Sequence, residues 1–342
     1  VPESYILMDT ITHIALGICV TQLLCAKQAG KTVLLFGAAA QVFPDIDVMA
    51  SLWLPPANNL LFHRGFFHSF LFGLIAALVF AMLVRKLSRS LQISFKNLSF
   101  LFCLQMWLHD LLDTCNGYGT GIFEPFSQQR FSFNLLYVVD PLFSLSLVVG
   151  ALVLLLRKKS KVVKTWAALA VFTSCIYLFM AIFNKASVQT TIKKSLLNQN
   201  IVYSHLLVTP TPFNSFLWYI IAANDSGYYI GYRSVFDKKD VPVKYTYFKK
   251  NPLLLREAAS EVGVKKLIQF AGDYYTVEKK ERSLVVNVLR FGQILGWEDP
   301  DAQFALPFVV NAGNENTFIV QRGRFKGWNW RTISRMYYRI EH

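Results

Sequence analysis

Six apolar runs stand out along the chain, at residues 13–26, 33–43, 66–84, 98–115, 135–156 and 165–183. At about 20 residues per membrane crossing the last four are long enough to span. The first two are short and must either draw in their flanks or pair as a re-entrant hairpin. Beyond Asn184 the pattern changes to strand-like runs rich in β-branched and aromatic residues, at 201–208, 216–222, 228–235 and 284–291. The expected architecture is an α-helical polytopic membrane bundle of about six segments over residues 8–184, followed by a β-rich α+β domain over 185–342 that faces water. There is no internal repeat or low-complexity tract. Nothing basic precedes the first apolar run, so no cleavable signal peptide is expected there, and residues 1–7 read as an extension ahead of Met8.

Charge orients this arrangement. Among the 342 residues the formal net charge is +14, yet in the membrane half Lys27, Lys31, Arg85, Lys86, Arg89, Lys96, Arg157, Lys158, Lys159, Lys161 and Lys164 all fall in the gaps after segments one, three and five. Those gaps contain no Asp or Glu. An excess of basic residues marks the cytoplasmic side, so the loops 44–65 and 116–134 and the C-terminal domain are expected outside a bacterial cytoplasmic (inner) membrane. Arg64 and Arg130 break the rule and call for another explanation. The C-terminal half is basic without a long cationic block, which disfavours nucleic acid and favours lipid headgroups or phosphorylated substrates. The five cysteines lie in or beside the apolar runs with no CxxC pair, so neither disulfides nor thiolate ligation of zinc is expected.

The remaining ionisable groups converge. His13 opens segment one, Asp45 and Asp47 follow segment two, His63 and His68 open segment three, and His109, Asp110 and Asp113 close segment four. On the charge-derived topology every one lands at the outer face. His109 and Asp113, four apart on a helix, stand one turn above the other and can hold a single ion. His63 and His68, five apart, diverge by roughly 140° on a helix, so one belongs to the preceding loop. Asp45 and Asp47 are expected to share a face in an extended turn after Pro44. Imidazole and carboxylate donors without thiolate suit zinc or manganese at a catalytic site, where the ion acidifies a water. The competing account is a network of ion pairs between the aspartates and Arg64 and Arg130; it leaves four of the six histidines without a reason. The glycines of 115–121 read as a tight turn, since the lysine of a phosphate-binding loop is missing.

These residues carry a resemblance. Asp9-Thr-Ile-Thr-His13, Phe43-Pro-Asp-Ile-Asp47, His63-Arg-Gly-Phe-Phe-His-Ser69, His109-Asp-Leu-Leu-Asp113 and the run from Tyr118 through Glu124, Arg130 and Asp140 to Phe143 are similar, in order, to the YdjM-like family of predicted membrane-bound, metal-dependent hydrolases. Phe67 departs from it, in a place where the family often has threonine. A fainter likeness is to the zinc-dependent phospholipase C group. The resemblance implies a hydrolase in which His13, Asp45, Asp47, His63, His68, His109 and Asp113 hold two or three divalent ions. Asp110, Arg64 and Arg130 are the candidate catalytic groups, the arginines as clamps on an anionic substrate. Ser69 and Asp140 are expected to orient ligands from behind, with a capping role favoured for Asp140.

Three classes of function fit the sequence. The first is a membrane hydrolase cleaving a phosphoester of a lipid or lipid-linked substrate, with amide or ester deacylation as a chemical variant. The second is a transporter and the third a metal-stabilised scaffold. The C-terminal aromatics Trp328, Trp330, Tyr337 and Tyr338, with Arg331, Arg335 and Arg339, fit either an interfacial belt or the core and rim of the β-rich domain.

Overall fold

The computed structural model describes residues 3–25, 30–88, 91–157, 161–256, 262–280, 283–310, 318–320 and 328–342. Lys27, Arg89, Lys158 and Lys159 of the basic gaps lie outside them. The chain forms two compact units, one of Val1–Leu52 with Phe62–Met180 and one of Trp53–Leu61 with Ala181–His342.

The first unit is helical. It contains α1 (Glu3–Leu24), α2 (Lys31–Val42) running into a 3-10 helix (Phe43–Leu52), and, beyond α3 (Pro56–Phe62), a short 3-10 turn (Phe66–His68), α4 (Phe70–Leu87), α5 (Phe95–Thr114) and α6 (Pro141–Leu156); α7 (Lys161–Asn198) begins in this unit and ends in the other. Among the described residues, three stretches are long and apolar enough to cross a membrane: Lys31–Leu52, Phe70–Leu87 and Val162–Asn198. The short second run therefore reaches spanning length through its 3-10 extension. Segment five is shorter than expected, because Pro141 takes the first helical turn and the Asp140 carboxylate caps it, accepting from Leu142 N at 3.1 Å and Phe143 N at 3.3 Å. The fourth run does form a 20-residue helix, α5, but Gln105, His109, Asp110 and Asp113 on its buried side take it out of the set of plainly apolar helices.

Side-chain size is sorted in the way that suits lipid. The buried face of α4 holds Gly73, Ala76, Ala77 and Ala81, while Leu74, Ile75, Leu78, Val79, Met82 and Leu83 are exposed. Lipid offers no hydrophobic penalty to large outward side chains, and small inward ones let backbones approach. The closest approach joins α1 to α2. A Cβ on Gly37 would stand 1.7 Å from Thr21 Oγ1, and one on Gly17 would stand 2.9 Å from Ala38 Cα. Gln105 of α5 locks onto the same place, donating to Gly17 O at 3.0 Å and Thr21 Oγ1 at 2.9 Å. His13 sits one turn before Gly17, and Asp45 two turns beyond Gly37, so this crossing sets the spacing of groups from two helices.

The second unit is β-rich. Antiparallel strands β1 (His205–Pro210), β2 (Leu217–Ala223), β3 (Gly227–Ser234) and β4 (Tyr245–Lys249) form one sheet in sequence order. After α8 (Val262–Ala271), strands β5 (Tyr275–Lys280), β6 (Ser283–Val288), β7 (Pro307–Val310) and β8 (Phe318–Val320) form a second, and α9 (Trp330–Glu341) ends the chain. Strand β2 is buried along its whole length. Its Trp218, Ile220 and Ala222 pack on Val188, Ile192 and Leu196 of α7, and its Tyr219, Ile221 and Ala223 pack with Leu289 and Phe304. The helix thus continues past Asn184 because its last turns are needed to cover one face of the first sheet. On α9, Met336 and Ile340 are buried against Leu217, while Trp330 and Tyr338 remain exposed.

Gly37→Leu is expected to force α1 and α2 apart and to lower stability in detergent by about 1–3 kcal/mol, as overpacking does. A thermal unfolding midpoint equal to that of the wild type would contradict the close-approach role.

Candidate metal centre

Every predicted ligand lies in the helical unit, and four of them form one group. Asp45, His68, His109 and Asp113 each offer a donor atom, and all four atoms lie within 4.8 Å of one another. Asp45 comes from the 3-10 helix after α2, His68 from the turn before α4, and His109 and Asp113 from successive turns of α5.

The separations suit an ion better than a hydrogen-bond network. His68 Nε2 is 3.4 Å from Asp45 Oδ1 and 3.5 Å from Asp113 Oδ2, and His109 Nε2 is 3.6 Å and 3.7 Å from the same two oxygens. Hydrogen bonds of this type close at about 2.7 to 3.2 Å. Donors about 2.0 to 2.1 Å from a tetrahedral zinc stand roughly 3.3 Å apart, close to these edges. The same atoms are otherwise unspent: His68 Nε2 and both ring nitrogens of His109 are fully buried and make no hydrogen bond. Buried polar groups left so are costly, and an ion bound among them removes the cost.

The surrounding residues hold this arrangement. Asp47 Oδ2 is 3.2 Å from His68 Nδ1 and accepts from Arg64 N at 2.9 Å, and Asp47 Oδ1 is 2.9 Å from His63 Nδ1. A carboxylate near Nδ1 favours the tautomer with its proton there, which leaves a lone pair on Nε2, the nitrogen nearest Asp45 and Asp113. The expected shared face of Asp45 and Asp47 is not what forms. Phe43 starts a 3-10 helix with three residues per turn, so Asp45 and Asp47 stand on different edges and meet opposite nitrogens of the His68 ring, Asp45 also nearing His109 and Asp47 nearing His63. His63 and His68 both precede α4, His63 in the turn ahead of the 3-10 segment. His13 reaches Asp113 Oδ1 at 3.5 Å and lies against the His109 ring, with centroids 4.0 Å apart.

The two arginines that broke the charge pattern are engaged with the protein. Arg64, 4% exposed and with φ of 60°, places Nε 3.0 Å from Asp113 Oδ2, donates through Nη1 to Asn116 Oδ1 at 2.7 Å and lies over the Tyr118 ring. Arg130 donates to the carbonyls of His63 at 3.1 Å and Gly119 at 3.2 Å, tying the 116–134 loop to the ligand-bearing turn. Burial pulls the Arg130 pKa down while the Glu124 charge opposes it, and burial pushes the Glu124 carboxyl up against the pull of Arg130. Asn116, read from sequence as part of a tight turn, and Tyr118, read there and as the start of the family-like run, are thus partners of Arg64. Asp110 is buried on α5 with neither oxygen hydrogen-bonded. Ser69 caps α4 by accepting from Phe72 N at 3.1 Å, and Asp140 accepts from the Tyr177 hydroxyl at 2.8 Å in addition to capping α6. Neither is placed by these bonds behind a ligand.

The family model described as YdjM inner membrane protein matches residues 8–188, a stretch that contains all of these residues. Over 124 residues the chain is 32% identical to inner membrane protein YbcI of Escherichia coli (strain K12), covering 35% of this chain and 69% of that protein. Over 151 residues it is 28% identical to the uncharacterized protein YfhP of Bacillus subtilis (strain 168), covering 41% of this chain and 44% of the other. No solved structure matches. With the match running across the helical unit and its four-residue donor group, the chain belongs to the YdjM family of inner membrane proteins.

Proposed function

We propose that this protein is a metal-dependent hydrolase of the inner membrane that cleaves a phosphoester of a lipid or lipid-linked molecule, using one divalent ion held by Asp45, His68, His109 and Asp113. The observation that carries the reading is the set of four inward donors separated by ion-sized gaps, with buried imidazole nitrogens that nothing else uses. Charge supports it. Asp45, Asp47 and Asp113 against Arg64 leave about two negative charges in an apolar setting, which a divalent ion neutralises. The donor set of two imidazoles and two carboxylates suits zinc first and manganese second.

When bound, such an ion supplies Lewis acidity toward a phosphoryl oxygen and lowers the pKa of a water toward about 7. The chain's own residues do the rest. Asp47 orients His68, and Arg64 holds the Asp113 carboxylate and the Asn116 side chain. Arg130 fixes the turn that carries His63 and Arg64, so both arginines act by positioning the site instead of clamping substrate. Asp110, beside His109 on α5 and buried with two unbonded oxygens, is the group assigned to proton transfer in this reading. The basic gaps after segments one, three and five support a site and a C-terminal domain on the outer side.

Purified protein supplied with zinc or manganese is expected to release phosphate or a phosphorylated headgroup from a panel of lipid phosphoesters, and His109→Ala with Asp113→Ala is expected to fall to background. Metal-loaded wild type inactive on every lipid and soluble phosphoester tested would sink the hydrolase reading. Asp47→Asn is expected to keep the fold and to weaken metal binding about 10- to 100-fold, the usual effect of losing a ligand's orienting partner. A titration giving wild-type affinity would remove that role.

A further inference from the structure

Between Asp47 and His63 the chain makes an excursion. Asp45 and Asp47 lie on the 3-10 helix that ends at Leu52, and His63 and Arg64 follow α3. The Asp47 carboxylate closes the excursion at its base, where Oδ2 accepts from Arg64 N at 2.9 Å and Oδ1 stands 2.9 Å from His63 Nδ1. The tip is held elsewhere. Trp53–Leu61 belongs to the β-rich unit, so the chain leaves the helical unit after Leu52 and returns to it at Phe62, one residue before His63. Within the β-rich unit, Asn58 of α3 accepts through Oδ1 from Lys266 Nζ at 2.6 Å. A hydrogen bond from an ammonium is stronger than one between neutral groups. Lys266 is carried by α8, which buries Val264, Leu267 and Phe270 and stacks the Phe270 ring on Phe291 with centroids 5.6 Å apart. From Asn58 to the ligands the connection is short. Helix α3 runs to Phe62, Gly65 N donates to Phe62 O at 3.0 Å, and the Phe62 ring meets Phe67, the neighbour of His68, with centroids 5.9 Å apart. A displacement of α3 is therefore felt at His63, Arg64 and His68, the three residues that Asp47 contacts.

We infer that the β-rich unit positions the metal centre through this excursion: Lys266, by holding Asn58, fixes α3 and with it the turn that brings His63, Arg64 and His68 to Asp47. The inference rests on reading the four-residue group as a metal centre. Asn58 and Lys266 are positioning residues, since neither is among the donors. The link works in both directions. Whatever steadies the turn favours the bound ion, and the bound ion must steady the turn by the same factor.

The test is hydrogen–deuterium exchange together with zinc titration on the full-length protein in detergent, comparing the wild type with Lys266→Met, Asn58→Leu and Asn58→Asp. Lys266→Met and Asn58→Leu are each expected to speed exchange over residues 62–69 severalfold and to weaken zinc binding, with exchange in β2 unchanged. The two together are expected to do no more than either alone. Asn58→Asp, which keeps an oxygen for Lys266, is expected to restore what Asn58→Leu loses. In an Asp47→Asn background Lys266→Met is expected to add little, because the route to the ligands runs through that carboxylate. Wild-type exchange over 62–69 or wild-type zinc affinity in Lys266→Met, an Asn58→Asp protein that behaves like Asn58→Leu, or a full further loss on top of Asp47→Asn overturns the proposal. Exchange is also read without zinc, which separates the two readings. Faster exchange over 62–69 in variants of a protein that binds no zinc fails the metal centre alone, whereas tight zinc binding with unchanged exchange fails the positioning role alone.

Discussion

The helical unit is organised around a carboxylate that could not be buried alone. Asp113 is 1% exposed, and three histidines and an arginine close on it: His13 from α1, Arg64 and His68 from the connection before α4, and His109 from its own helix. An isolated charge in such a place would cost several kcal/mol, so each of these contacts is a condition for the others. The consequence is visible in the backbone. Arg64 takes a left-handed φ of 60°, a long 3-10 helix runs from Phe43, and the 116–134 loop is drawn in by Asn116 and Arg130. Small residues at the Gly17–Gly37 crossing allow the helices near enough for the side chains to meet.

A purely ionic network would satisfy the charges with short contacts, and part of the site does so. Arg64 meets Asp113 at 3.0 Å, and His63 meets Asp47 at 2.9 Å. The inner four donors behave differently: each imidazole nitrogen stands 3.4 to 3.7 Å from the two carboxylate oxygens, and all four atoms lie within 4.8 Å of one another. Within one site, then, Asp47 and Arg64 make close pairs with His63 and Asp113, whereas the imidazoles of His68 and His109 stand off from Asp45 and Asp113. That contrast supports the metal reading more than the mere concentration of histidine and aspartate does.

Much of this was legible in the sequence because ionisable residues are conspicuous in apolar runs. His109 and Asp113 on one helical face, and the convergence of Asp45 and His68 with them, followed from spacing and topology. What sequence could not show was how the seven expected ligands divide. Asp45 and Asp47 are two residues apart, and their separation into an inner donor and an orienting group depends on a 3-10 geometry that tertiary packing selects. Arg64 and Arg130 were conspicuous for breaking the charge pattern, but their engagement with Asp113, Asn116 and backbone carbonyls is a product of loop closure over long sequence separations. In the β-rich unit β1, β2, β3 and β6 lie near the four expected runs, with β2 and β3 displaced by a single residue at each end, whereas β4, β5, β7 and β8 had no expected run, and the helix running on to Asn198 was hidden because Lys193, Lys194 and Asn198 interrupt the apolar positions that cover the sheet.

The central claim is that the inner four residues exist to hold a divalent ion. Metal content by mass spectrometry, on protein purified without chelators or a histidine tag, tests it most directly. The account predicts one zinc or manganese per chain, lost when His109 and Asp113 are both replaced by alanine while the fold is retained. A well-folded wild-type protein that stays metal-free after incubation with either ion would contradict it.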